Sequence, residues 1–368
     1  MNLTTERLIN ELQTFGARLR DPKAGVESRR GGAGPSDHKA IIVDGVTFMA
    51  PVHTAPAFDS PYEIGKPDAA GVSPIFRDGV ALGEARFPAR PRFYDLSTHD
   101  GVPFSQIATL HGRDVLATTV LQTCIRYQSR TKTCQFCAIG QSLAAGRTIA
   151  HKTPRQLAEV AKAAVELDGV KHMVMTTGTP RGRDRGASVL CESAEAVKNA
   201  IYLPIQGQCE PPDDDDWFER LRASGVDALG MHLEIVTPAL RAKLMPGKSE
   251  VPISRYMSAF AAAVPVFGRG QVSTYILAGL GDTRDDVLKI CAELVALGVY
   301  PFVVPFVPIS GTPLESHPVP SADFMHSLLE PLSRMIVAAG MKASDIKAGC
   351  GRCGACSALS TYERSAQA

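Results

Sequence analysis

Between residues 114 and 314 the chain repeats one rhythm: a short apolar run, a loop, then an amphipathic stretch. The apolar runs are VLATTVLQT, HMVMTTG, NAIYLPIQGQ, ALGMHLEIV, VSTYILAGLG and PFVVPFVPI. Between them lie helical patterns. PRQLAEVAKAAVELDG has Thr153 as N-cap and Pro154 at the first helical position. It is followed by a helix near 192–199, then DDWFERLRASG, VPISRYMSAFAAAVPVFG and DTRDDVLKICAELVALG. Strands that alternate with helices form a parallel sheet covered by helices. Right-handed crossovers then curl six such units into a partial (β/α)6 TIM-type barrel. A complete eight-unit barrel would need about 50 more residues after Leu314. The chain ends instead in one helix, SADFMHSLLEPLSRMIVAAG, and a cysteine cluster.

The expected organisation is therefore an N-terminal module over 1–112, a barrel over 113–315 and a cysteine-bearing extension over 316–368. The module opens with a helix in which Leu8, Ile9, Leu12 and Phe15 recur at helical spacing. A Gly-, Arg- and Pro-rich stretch at 21–40 suits a mobile or substrate-covering loop, and short β-like pieces punctuated by Pro and Gly fill 40–110.

A formal net charge of +1 and the lack of a long basic run leave nucleic acid without an electrostatic footprint. The N-terminal segment is charged and amphipathic, unlike a signal peptide, and no apolar run reaches the roughly 18 residues of a membrane span. A cytoplasmic protein with no membrane partner is expected. In that reducing compartment the nine cysteines suit metal ligation and buried thiols better than disulfides.

Three of them follow the first apolar run, as Cys124-x9-Cys134-x2-Cys137. A close thiolate pair plus a third thiolate on the same loop can hold three irons of a [4Fe-4S] cluster and leave the fourth open for chemistry. The other strand ends carry Thr176-Thr177-Gly178-Thr179, Cys209-Glu210, His232-Leu233-Glu234, Gly279-Leu280-Gly281-Asp282 and Pro308-Ile309-Ser310-Gly311-Thr312-Pro313-Leu314. The C-terminal ends of barrel strands form one rim, where active-site groups gather. An acid on an apolar strand is either functional or buried with a partner, and a lone histidine is more often structural. Each turn, taken alone, can be an ordinary βα connection.

Taken together, the cysteine loop and these strand ends resemble the radical S-adenosylmethionine (SAM) superfamily, in its biotin synthase and lipoyl synthase-like branch. The usual spacing there is C-x3-C-x2-C, so the x9 interval departs from it. The resemblance implies an enzyme in which Cys124, Cys134 and Cys137 hold a [4Fe-4S] cluster. It further implies that SAM lies against Thr177, Gly178, Glu234, Arg241, Gly279 and Pro308. Glu234 would meet the ribose hydroxyls, since a carboxylate accepts two hydrogen bonds at once. Arg241 would meet the SAM carboxylate; Gly279 and Pro308 would lie near adenine. Asp282 stands where the family has Glu, and can equally cap the next helix. A small-molecule substrate and a reductase with flavodoxin or ferredoxin as electron donor are implied as well. The x9 spacing with the C-terminal cysteines also resembles a radical SAM family whose genes often lie beside a nitrilase, which points towards a nitrogenous substrate.

The second cysteine group, Cys350-x2-Cys353-x2-Cys356, has three readings. It holds an auxiliary Fe–S cluster, or a zinc ion with Cys191, Cys209 or His317, or it is a metal-free solvated tail. This group and the N-terminal module are expected to close over the barrel mouth. The acidic run 213–216 reads as a solvated helix start, and the arginines of 181–186 as either a steering patch or a solvated loop. No titratable pair announces a hydrolase. The competing class is a non-catalytic Fe–S or zinc scaffold or maturation protein.

Overall fold

The computed structural model describes residues 4–25, 37–129 and 131–367; most of the expected covering loop, 26–36, lies outside them. Six parallel strands, Val115–Thr119, His172–Thr176, Ile205–Gln208, Ala228–Gly230, Val272–Ala278 and Val299–Pro305, pair in sequence order into one curled sheet. These are called the first to sixth strands below. Nearly every residue in them is buried, as expected when helices cover one face and a filled bore lies on the other. A short antiparallel strand, Thr109–His111, extends the sheet beyond the first strand, with His111 opposite Val115.

The covering helices are Pro154–Asp168, Ala187–Ala200, Asp216–Ala223, Ile253–Phe267, Arg284–Leu297 and Ala322–Ala338. Local chemistry sets their ends. Thr153 and Gln156 form a capping box, and Gly169 (φ 65°) closes that helix in the left-handed conformation. Thr283 and Asp286 repeat the box one unit before the sixth strand. Leu157, Val160, Leu190, Phe218, Phe260 and Leu294 then pack on the outer face of the sheet in one continuous core. None of the described helices is long and apolar enough to cross a membrane.

Ahead of the barrel, the helix Thr5–Phe15 packs on a six-stranded, largely antiparallel sheet. Two of its hairpins turn on Asp44-Gly45 and Asp78-Gly79, all four residues having φ between 48° and 82°. That is what a two-residue hairpin loop demands, and Asp-Gly supplies it at little cost.

The C-terminal extension departs from expectation. After Ala322–Ala338 the chain passes beneath the barrel, at the starts of the strands rather than over their ends. Lys347 N–H donates to Gln271 Oε1 (2.9 Å), Gly349 N–H to His172 Nδ1 (3.1 Å) and Cys350 N–H to Gln206 Oε1 (3.1 Å). Any Cβ on Gly349 would collide with the Gln206 side chain, so only glycine lets the chain come this close. Gln13 Nε2 and Met49 N–H both donate to Ala355 O, which ties the N-terminal module to the same end. The cysteine group therefore plugs the floor of the barrel, opposite the rim that bears the first cysteine loop.

Candidate active site

One cavity of about 400 Å³ runs through the barrel, and both cysteine groups face it: Cys124, Cys134 and Cys137 at the rim, Cys350 and Cys356 towards the floor. At the rim, the backbone brings the close pair together, with Cys137 N–H donating to Cys134 O (3.0 Å). Burial pushes the Cys137 thiol up to about 12 and Cys134 well above its ordinary value, and neighbouring thiols and Glu234 push the same way. Metal ligation must therefore displace protons from this loop.

The interval between Cys124 and Cys134 carries a clamp built on Arg126. Arg126 reaches across the rim and donates twice to Glu210 at the end of the third strand (Nε–Oε1 2.8 Å, Nη2–Oε2 2.7 Å). Its Nη1 donates to the Gly247 carbonyl, and Gly247 N–H returns a bond to Lys132 O (3.0 Å). The Thr179 hydroxyl completes Glu210 (2.9 Å). Burial would raise the Glu210 carboxyl, but the Arg126 bonds outweigh it and hold the group below its usual range. Next to the clamp, Gly178 N–H donates to Leu121 O (2.9 Å), and a Cβ there would sit 2.8 Å from the Thr123 carbonyl carbon. The second strand's turn thus braces the chain directly before Cys124. The local signal for that contact was the glycine itself.

Glu234 lines the cavity in a left-handed conformation (φ 64°), which costs a non-glycine residue about 1–2 kcal/mol. Two backbone bonds hold it there, Glu234 N–H to Tyr275 O and Leu277 N–H to Glu234 O, both 2.8 Å. Lys248 Nζ donates to Glu234 Oε2 (2.9 Å), leaving the other carboxylate oxygen uncommitted to that ion pair. Burial alone would discharge Lys248; Glu234 and further acidic neighbours keep its ammonium more basic than usual. His232 also lines the cavity. Its Nδ1 accepts from Tyr275 N–H (3.2 Å), and burial with Lys248 nearby lowers it to about 3, so the ring is neutral.

Thr177, Gly178 and Glu234 thus meet the cysteine loop in one space, while three other expected SAM contacts stand apart from it. Arg241 is buried, and its guanidinium donates to the carbonyls of Leu233 (2.5 Å), Ile235 (3.1 Å) and Val251 (3.2 Å). It is the internal brace of the Glu234 turn, because the helix Pro238–Leu244 turns it inward; Lys248, which sequence reasoning missed, is the cation beside Glu234. Gly279 (φ 107°) packs on Pro320 and its carbonyl faces His317 Nε2 (3.0 Å). Pro308 itself is outside the cavity, though Val307 and Ile309 on either side line it. Asp282 does not cap its own helix, a role taken by Thr283; it accepts from Val236 and Thr237 N–H (both 2.9 Å). Arg183 and Arg185 are paired with Asp213.

At the floor, Gln208 Nε2 donates to Cys350 Sγ (3.3 Å) and His111 Nε2 lies 3.3 Å from Cys356 Sγ. The Tyr275 hydroxyl bonds to Cys356 as well, and burial pushes Cys353 up to about 12. Among the described residues no three His, Cys, Asp or Glu side chains group closely enough for a single metal ion. Of the expected fourth zinc ligands, Cys191 is on the outer helix Ala187–Ala200 and His317 beside Phe306, while Cys209 lines the cavity next to Glu210.

The family model of the radical SAM superfamily matches residues 131–294. Among curated proteins, bacteriochlorophyllide c C-7(1)-hydroxylase of Chlorobaculum limnaeum is 27% identical over 225 residues, 56% of this chain and 56% of that protein. A probable dual-specificity RNA methyltransferase RlmN of Moorella thermoacetica is 26% identical over 125 residues, 34% of this chain and 35% of that protein. The chain thus spans only part of the relatives it matches. Among solved structures, HydG, a maturase of the [FeFe]-hydrogenase, aligns with a TM-score of 0.48 and 13% identity, over 62% of this chain and 50% of HydG. Methylornithine synthase (PylB) aligns with a TM-score of 0.48 and 18% identity, over 69% and 70%.

Proposed function

This chain belongs to the radical SAM superfamily, and we propose that it is an enzyme that holds a [4Fe-4S] cluster on Cys124, Cys134 and Cys137 and starts radical chemistry on a small molecule in the barrel bore. The observation that carries this reading is the meeting of three thiols from one loop with Thr177, Gly178, Glu234 and Lys248 in a single cavity. When bound, such a cluster delivers an electron to SAM and so generates the carbon radical that abstracts hydrogen from a substrate.

The chain's own residues supply the rest. The turn at Thr177-Gly178 approaches closely enough for its backbone to meet the polar end of SAM. Glu234, paired with Lys248 through one oxygen, accepts from the ribose diol with the other. Val307 and Ile309 offer apolar walls to adenine, as Phe136 does beside the cysteines. Arg126 and Glu210 fix the cysteine loop, and the mainly apolar walls of the bore limit water around a reactive radical. Cys350, Cys353 and Cys356 hold a second Fe–S cluster at the floor. A flavodoxin or ferredoxin is the proposed electron donor, and the nitrogenous substrate class rests on the family resemblance alone.

The test is electron paramagnetic resonance of the reduced Cys350→Ala, Cys353→Ala, Cys356→Ala variant, which isolates the rim cluster. Adding SAM should change the g-values of its signal, and Glu234→Gln should weaken the SAM dependence at least tenfold. A signal indifferent to SAM overturns the reading.

A further inference from the structure

The floor of the barrel holds three cysteines, and a fourth donor stands beside them. His111 ends the short antiparallel strand Thr109–His111, and its Nε2 lies 3.3 Å from Cys356 Sγ. It lines the same cavity as Cys350 and Cys356. Gly112, which follows it, is left-handed (φ 58°), and a Cβ there would come within 2.9 Å of Cys353 Sγ. The chain therefore folds tightly round the trio at this point, and the imidazole is delivered with it.

The other candidate donors are committed elsewhere. His172 accepts from Gly349 N–H with Nδ1 and faces Asp114 with Nε2 (3.8 Å). His232 accepts from Tyr275 N–H. Cys209 stands at the rim end of the third strand, and Cys291 is wholly buried within the core on the helix Arg284–Leu297. Further donors face the sulfurs, the Gln208 amide to Cys350 and the Tyr275 hydroxyl to Cys356. Such donors stabilise thiolates that carry a metal centre.

We propose that His111 is the fourth protein ligand of the second cluster, completing Cys350, Cys353 and Cys356 as a three-cysteine, one-histidine set. This rests on the reading that a cluster occupies the floor. It gives that cluster a definite character: with every iron held by the chain, it exchanges electrons and offers no open iron to a substrate. Imidazole in place of thiolate also removes one negative charge from the ligand set, which raises the cluster's reduction potential.

The experiment uses the full chain carrying Cys124→Ala, Cys134→Ala and Cys137→Ala, loaded anaerobically with iron and sulfide, without SAM. The expected result is about four irons per chain and a nitrogen hyperfine coupling in the reduced cluster that changes when histidine is labelled with 15N. His111→Cys should keep the irons, lose that coupling and lower the potential; His111→Ala should lose it too. The same spectra on the otherwise unsubstituted chain, loaded with both clusters, give the answer independently of the three alanines. Irons present without histidine coupling, or coupling that survives in His111→Ala, overturn the ligand assignment while leaving the second cluster standing. A triple variant that folds but takes up no iron overturns the second cluster and the assignment together.

Discussion

Replacing Arg126 by methionine tests whether this residue clamps the interval between Cys124 and Cys134. The substitution keeps an unbranched apolar stem and removes a guanidinium that makes two short bonds to Glu210, one to the Gly247 carbonyl and a longer contact to Glu250 (3.4 Å). Arg126 and Glu210 side chains are 5% and 7% exposed, so solvent cannot replace the lost partner. Removing one member of a buried pair typically costs about 3–5 kcal/mol. Glu210 retains the Thr179 hydroxyl and the field of Lys248, which places the expected loss near the lower end, about 3 kcal/mol. The assay is urea unfolding of the metal-free chain followed by circular dichroism. Because the Glu210 carboxyl is held below its ordinary 4.5, the pair's contribution is fully present above about pH 4.5 and is lost as the pH falls further, so measurement at pH 7 reads all of it. Glu210→Gln should reduce the penalty of a subsequent Arg126→Met, since no buried anion is then stranded. A loss below about 1 kcal/mol, the scale of an exposed ion pair, refutes the clamp.

Gly178→Ala should push the Thr123 carbonyl away and displace Cys124, costing about 1–3 kcal/mol and lowering iron uptake at the rim trio; unchanged iron content counts against the bracing contact. Lys248→Met strands the Glu234 carboxylate in the bore and should weaken SAM binding tenfold or more by calorimetry, whereas Arg241→Lys should chiefly lower stability, because Arg241 serves backbone carbonyls. Acid should destabilise the metal-free chain steeply. His232 and His172 are lowered to about 3, so the unfolded chain takes up their protons first, and their contribution is lost as pH falls from about 6.5 towards 3. Each contributes about 1.4 kcal/mol per pH unit in that window, and His232→Gln should remove one share of the slope.

Local patterns carried much of this architecture. The N-cap at Thr153 with Pro154 after it, the apolar runs and the cysteine trio are each contained within one segment, so each can be read where it stands. Glu234 was legible because an acid at the end of an apolar strand needs a reason. What sequence could not disclose were pairings made by the closed barrel. Arg241 is near Glu234 in sequence, but its helix turns it onto carbonyls, and Lys248 arrives in the short 3-10 turn Lys248–Glu250 after that helix. Arg126 and Glu210 are 84 residues apart and meet only because the first and third strands share a rim. The path of the tail beneath the barrel depends on Gly349 slipping past Gln206, a contact with no periodic signature. His111 sits in a three-residue strand that says nothing of the cysteines it will face.

The most direct test of the central claim is made on anaerobically loaded protein incubated with SAM and dithionite, with 5′-deoxyadenosine measured by mass spectrometry. The account predicts product from the unsubstituted chain and none from Cys134→Ala, Cys137→Ala. No product from protein that carries a reducible rim cluster, or equal product from the variant, would contradict it.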